Sequence, residues 1–204
     1  MMFLVALALA APPPFEPGKD GKKCAKDPEG AQTAAAELAE LVELSRSTPV
    51  MSTAPEHRDR MARVQAARKG YMCSRQAMLD AALVLLTSTS AKDLDAAAAY
   101  AQEAALDALP LAHFAYTNAH DRALVARGLP QDFGTQFGLI GSDPRGCMHP
   151  VATDAITDAD RAAWSVAPLT ELYAAYLKER GHAGQPPNEA TLRRLNLMCL
   201  SGKF

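Results

Sequence analysis

Aromatic residues are scarce in this sequence, at 6% with a single tryptophan. Large side chains must therefore be few and well placed. Much of the 49% apolar share is alanine, which favours helix while adding little core volume. No apolar run approaches the ~20 residues that span a bilayer, so no membrane span is expected. Surplus positive charge is also missing, the formal net charge being −2. That argues against the clustered basic surface a phosphate backbone requires, and no nucleic-acid partner is expected. There is no Cys-x-x-Cys pair, no His-Glu-x-x-His, no Gly-x-Ser-x-Gly elbow and no phosphate- or dinucleotide-binding glycine signature. The usual routes to a zinc site, a serine nucleophile or a nucleotide are thus closed. Neither metal nor cofactor is expected.

What is present points to one exported domain. A chain of 204 residues is long enough to bury a core of its own. Phe3 to Ala11 is an apolar run ending in small residues and followed by Pro12, Pro13 and Pro14, the pattern of a secretory signal. No Lys or Arg precedes it. The expectation is a signal peptide over 1–11, a flexible linker over 12–30 containing the lysines between Lys19 and Lys26, and a single helical domain over 31–204. The compartment is then secreted or periplasmic. Scattered cysteines agree, since an even number in an oxidising compartment usually forms disulfides. Cys24, Cys73, Cys147 and Cys199 allow three connectivities. Two antiparallel helices between Cys24 and Cys73 would return the chain to its start and favour that pair, leaving Cys147 with Cys199.

Helical periodicity begins at Ala31. Ala34, Leu38, Leu41 and Val42 recur at three- and four-residue steps, as one buried face requires. A second helix is expected from about Thr53, with Pro55 in its first turn and Glu56 placed for a capping box. The third, from Met72 to Thr87, is apolar all round over Ala81 to Leu86 and should be the central one. Ser90 with Asp93 should cap the fourth, whose stripe is Leu94, Ala98, Ala101, Ala105 and Leu109. The fifth runs from Leu111 to Arg127. Glycines and prolines between Gly128 and Thr157 forbid a long helix there. Thr135 to Ile140 and Cys147 to Ala152 could pair as a short hairpin around a turn over Gly141 to Gly146. Thr157 with Asp160 caps a short helix, Pro168 to Arg180 forms another, and Asn188 caps the last. The expected fold is mainly α: one irregular multi-helix domain with a Gly/Pro-rich loop or short β-hairpin inserted after the fifth helix.

The chemistry-bearing residues crowd between His113 and Gln136. On a helical wheel Leu111, Phe114, Ala115, Asn118, Arg122 and Val125 share one, more apolar, side of the fifth helix, with Asp121 at its edge. His113, Tyr116, His120, Leu124 and Arg127 share the other. Two histidines seven residues apart stand about 10 Å apart along a helix, too far to share one metal ion directly. A guanidinium on an apolar face keeps its charge and needs fixed acceptors, which Gln131, Asp132 and Gln136 could supply. Two readings follow: a hydrogen-bonded hub that fastens the loop to the helix, or a cleft in which Arg122, Asn118 and Gln136 grip a polar or anionic ligand. The ligand-binding candidates are Asn118, His120, Asp121, Arg122, Gln131, Thr135 and Gln136.

The segment Asp121 to Gln136, DRALVARGLPQDFGTQ, resembles a bacterial domain family of unknown function. Its members carry Asp-Arg at a helix end, a turn with Gly and Gln, then Tyr-Gly-Thr-Gln. The matching positions are Asp121, Arg122, Gly128, Gln131, Gly134, Thr135 and Gln136, with Phe133 in place of the tyrosine. Thr157, Asp158, Asp160, Arg161 and Leu169 to Tyr173 look like its closing pattern. The resemblance implies no activity. The functional expectation is an exported binding or interaction module for an unknown polar small molecule or protein. The alternative is an exported hydrolase-like enzyme using His120, Asp121, Arg122 and Gln136.

Overall fold

A computed structural model describes residues 20–48, 53–140 and 143–199. The expected signal peptide and the start of the linker lie outside them. Among the described residues the chain is mainly α, with helices α1 (Asp20–Lys26), α2 (Pro28–Ser47), α3 (Pro55–Arg68), α4 (Arg75–Leu85), α5 (Ala91–Ala105) and α6 (Ala112–Ala126). Strands β1 (Phe137–Ile140) and β2 (Asp143–Met148) follow, then α7 (Asp158–Ala163), α8 (Leu169–Glu179) and α9 (Glu189–Arg194).

The hairpin therefore follows the sixth helix, because the expected linker contains a helix of its own. α1 is too short to persist alone. It is held by the Cys24–Cys73 disulfide and by Lys23, whose ammonium lies 4.1 Å from the centre of the Tyr71 ring. Asp27 then starts α2. One carboxylate oxygen accepts from Gly30 N and the other from the Tyr71 hydroxyl at 2.6 Å, and Pro28 occupies the first turn.

α4 is the central helix, in contact with α2, α3, α5 and α6. Its residues Ala77 to Ala82, Val84 and Leu85 are buried, so it is enclosed on nearly every side. α2 packs on it through Ala34, Leu38, Leu41 and Val42. Burying a leucine such as Leu38 or Leu41 completely contributes about 1.5–3 kcal/mol. The most extensive helix pair is α5 with α6. Ala97, Ala101 and Ala104 on one helix and Ala112, Ala115, Ala119 and Ala123 on the other are all buried, and such small side chains let two helix axes approach closely. This corrects the expected orientation of the fifth helix. Leu111 and Phe114, placed on its more apolar side, are 49% and 55% exposed, because the alanine stripe has taken the packing face.

A second, smaller cluster joins Met148, Val151, Tyr173, Tyr176, Leu177, Leu192, Leu197 and Met198. The hairpin beneath it is antiparallel, with Phe137 opposite Met148, Gly138 opposite Cys147, and an irregular register before Ile140. β2 begins at Asp143, inside the span expected to be a turn. Met148 also bonds to the C-terminal segment, donating to Leu197 O and accepting from Cys199 N. The Cys147–Cys199 disulfide lies beside these bonds.

Helix caps divide into two groups. Thr157 and Asp160 form a reciprocal capping box, and Asn188 accepts from Thr191 N. The other two expected caps are not formed. Ala54 precedes Pro55 with no side-chain cap, and the Ser90 side chain makes no cap bond. There Ser88 substitutes, accepting from Ser90 N and donating to Asp93.

Candidate functional site

The site is built on α6. Asp121, fully enclosed at 0% exposure, turns its carboxylate to the loop that follows the helix. One oxygen accepts from Asp132 N and Phe133 N at 2.9 Å each, the other from Thr135 N at 2.9 Å and the Thr135 hydroxyl at 2.8 Å. A buried carboxylate is tolerable only when its lone pairs are occupied, and here four donors converge on it. Gln131, also fully enclosed, completes the loop from the other side. Its amide oxygen accepts from Gln136 N, and its amide nitrogen donates to Gln136 O and His149 O. Between them Gly134 has φ +88°, and a Cβ there would meet Leu172 Cδ1 at 3.2 Å. Both the backbone conformation and the close approach of α8 select glycine.

Arg122 does something else. It was expected to draw acceptors from Gln131, Asp132 and Gln136; its guanidinium donates instead to Leu86 O and, at 3.2 Å, to Ser88 O. Leu86 is the C-cap of α4, where the last carbonyls lack helical partners and carry partial negative charge. Helix-end carbonyls thus replace a carboxylate as its partner. Burial pushes the Arg122 guanidinium down from its ordinary value.

The rest of the Arg122 side chain faces a cleft of about 370 Å³. α2 contributes Val42, Ser45 and Arg46, the end of α4 Leu83, Leu86 and Thr87, and the opposite wall Leu111, Phe114, Asn118 and Gln136. Gln136 Nε2 donates to Asn118 Oδ1 at 3.1 Å and to Thr135 Oγ1 at 2.8 Å, while Asn118 Nδ2 donates to Phe114 O. Asn118, Arg122 and Gln136 are therefore brought together, and no acidic side chain lines the cleft among the described residues. Two features stand out physically. The Ser45 hydroxyl is buried with no hydrogen-bond partner. Leu111, at the N-cap of α6, has φ 68°, a left-handed conformation that costs an L-residue roughly 1–2 kcal/mol.

The histidines lie apart from this cleft's lining. His120 Nε2 is 2.7 Å from Asp132 Oδ2, with the ring between Tyr116 and Phe133. His113 Nδ1 meets the Ser165 hydroxyl, and its ring packs edge-on to Trp164. Arg161 crosses beneath, donating to Asp132 O and to the Asp158 carboxylate. The four residues of the hydrolase alternative do not converge. Asp121 is consumed by loop donors, His120 turns to Asp132, and only Arg122 and Gln136 share the cleft. Among the described residues no three His, Cys, Asp or Glu side chains are grouped to hold a metal, and Cys147 is taken by its disulfide. Leu111 and Phe114, on the helix side expected to carry Asn118 and Arg122, line the cleft with them. Ser45 and Arg46 are lining residues outside the expected candidates, because α2 reaches the cleft only through tertiary packing.

Comparison with known protein families, curated proteins and solved structures found no match to this chain.

Proposed function

We propose that the protein is an exported binding module whose cleft between α2, α4 and α6 holds a small anionic ligand. The observation that carries the reading is Arg122, a half-buried cation with no carboxylate partner, lining a cleft that no acidic group lines among the described residues. Two of the five N–H donors of a guanidinium hold the end of α4, and the others remain for a ligand. Asn118 keeps one amide N–H beyond its bond to Phe114 O and is held in place by Gln136, and a volume of about 370 Å³ lies at the lower end of ordinary ligand pockets. Export is supported by two disulfides and by the lack, among the described residues, of a helix long and apolar enough to cross a membrane. The resemblance of Asp121 to Gln136 to a bacterial domain family belongs to the same proposal and assigns no chemistry.

Side-chain NMR of the disulfide-intact protein tests it. Titration with acetate and with inorganic phosphate should shift the Arg122 Nε–H and the Gln136 amide signals saturably, at roughly millimolar dissociation constants, which correspond to about −4 kcal/mol. Arg122→Lys should weaken the effect while keeping the fold. If both signals stay still in the native protein, or if the Gln136 shift persists unchanged in the variant, the anion site is refuted.

A further inference from the structure

The walls of the cleft divide by chemistry. Arg122, Asn118, Gln136 and Ser45 supply polar groups, while Val42, Leu83, Leu86, Leu111 and Phe114 are apolar. Two of the apolar residues, Leu111 and Phe114, are large, stand about half exposed and adjoin the other apolar walls of the same cleft. Contiguous exposed apolar surface, unlike a single exposed residue, marks binding grooves. Leu111 is held there in a backbone state that leucine disfavours, and residues kept in such states cluster at ligand-binding positions. At the polar end Asn118 keeps one amide N–H beyond its bond to Phe114 O, beside the Arg122 donors not spent on Leu86 and Ser88. Arg46 is exposed at the rim, whereas Arg122 is half-buried among the lining side chains, so Arg122 is the cation whose field on a ligand charge is least screened by solvent. A fully hydrated inorganic anion would use the polar groups and leave the apolar ones without a role.

We infer that the ligand is an amphiphilic monoanion: a carboxylate, or a group of similar shape, held by Arg122 and Asn118, with an aliphatic body lying along Phe114, Leu111 and Leu83. This rests on the anion reading above and adds the chemical class. A molecule of that kind would be taken from solution one at a time, since the cleft is small.

Calorimetric titration of the full, disulfide-intact chain with acetate, butyrate, hexanoate and octanoate tests it, with octanol and octylamine as neutral and cationic controls. Affinity should rise with chain length by up to about fourfold per buried methylene, and octanol and octylamine should bind at least about tenfold more weakly than octanoate. Phe114→Ser, at an exposed position, should flatten the dependence on chain length. Asn118→Ala, at a partly exposed position, should keep the fold yet weaken octanoate severalfold, and unchanged affinity would remove Asn118 from the site. Equal affinity for acetate and octanoate would overturn the amphiphile and leave the anion site standing. Absence of binding by every carboxylate would remove both, as would octanol binding as tightly as octanoate. Binding to phosphatidylglycerol vesicles without binding free octanoate would overturn it in favour of a membrane surface.

Discussion

Replacing Asp121 by asparagine changes one atom and should break the centre of the molecule. Each carboxylate oxygen accepts from two donors, and none of the four is on a mobile surface group: three are backbone amides of the loop and the fourth is the Thr135 hydroxyl. An amide keeps one oxygen and turns an NH2 toward the other pair. With the NH2 toward Asp132 N and Phe133 N two bonds are lost and donor faces donor; with it toward Thr135 the backbone N–H bond is lost while the hydroxyl can turn and accept. Hydrogen bonds to a charged group contribute about 1.5–3 kcal/mol each, and an enclosed N–H without a partner retains its desolvation cost. The amide takes the second orientation, so the expected loss is about 1.5–3 kcal/mol, still a large share of a typical total of roughly 5–15 kcal/mol. Urea unfolding followed by circular dichroism, with disulfides intact, should show a lower midpoint at unchanged slope. Hydrogen exchange at Asp132, Phe133 and Thr135 should lose its protection. A loss below about 1 kcal/mol, with those amides still protected, would refute the assignment of Asp121 as the loop's anchor.

The remaining predictions concern the covalent ties and pH. Cys24–Cys73 and Cys147–Cys199 close separations of 49 and 52 residues, so each should add about 4 kcal/mol in the chain-entropy account. Non-reducing peptide mapping of the protein from its native host should recover both linked pairs, and four free thiols would overturn the pairing and the export proposal with it. Burial pushes His149 below its ordinary value, so between the folded and the unfolded value the unfolded chain binds more protons. Stability should be complete above about pH 6.5 and fall as pH drops below it, by at most about 1.4 kcal/mol per pH unit. His149→Gln should flatten that slope in melts between about pH 7 and pH 5, and an unchanged slope would place the effect elsewhere.

Fold class, the buried stripe of α2 and the central place of α4 were legible because each is a periodic pattern within one element. The Thr157–Asp160 and Asn188 caps were legible for the same reason, being contained within four residues. The disulfide pairing argued from helix topology is the one the structure contains. The division of labour between Asp121 and Arg122 was not legible. Counting hydropathy put Leu111 and Phe114 inward, whereas close packing of α5 on α6 rewards alanine, and that choice turns Asp121 to the loop and Arg122 to α4. The partners of Arg122, at Leu86 and Ser88, lie 34–36 residues away and leave no local signature. α1 was hidden similarly, because its stabilising groups are Tyr71 and Cys73 from another helix boundary.

The two disulfides have a consequence for where the chain can loosen. Drawn as a covalent graph, the molecule is two closed rings, 24–73 and 147–199, joined by an open segment. That segment holds α4, α5, α6 and the loop, including Asp121, Arg122, Asn118 and Gln136. Oxidation therefore restricts the unfolded chain at both ends and leaves the stretch bearing the cleft as free as in a reduced protein. Its order depends on packing and hydrogen bonds alone, with the enclosed α4 and the α5–α6 pair supplying most of the packing. A ligand seated in the cleft would supply by mass action, reversibly and in proportion to its concentration, the reinforcement that cystines give the ends permanently.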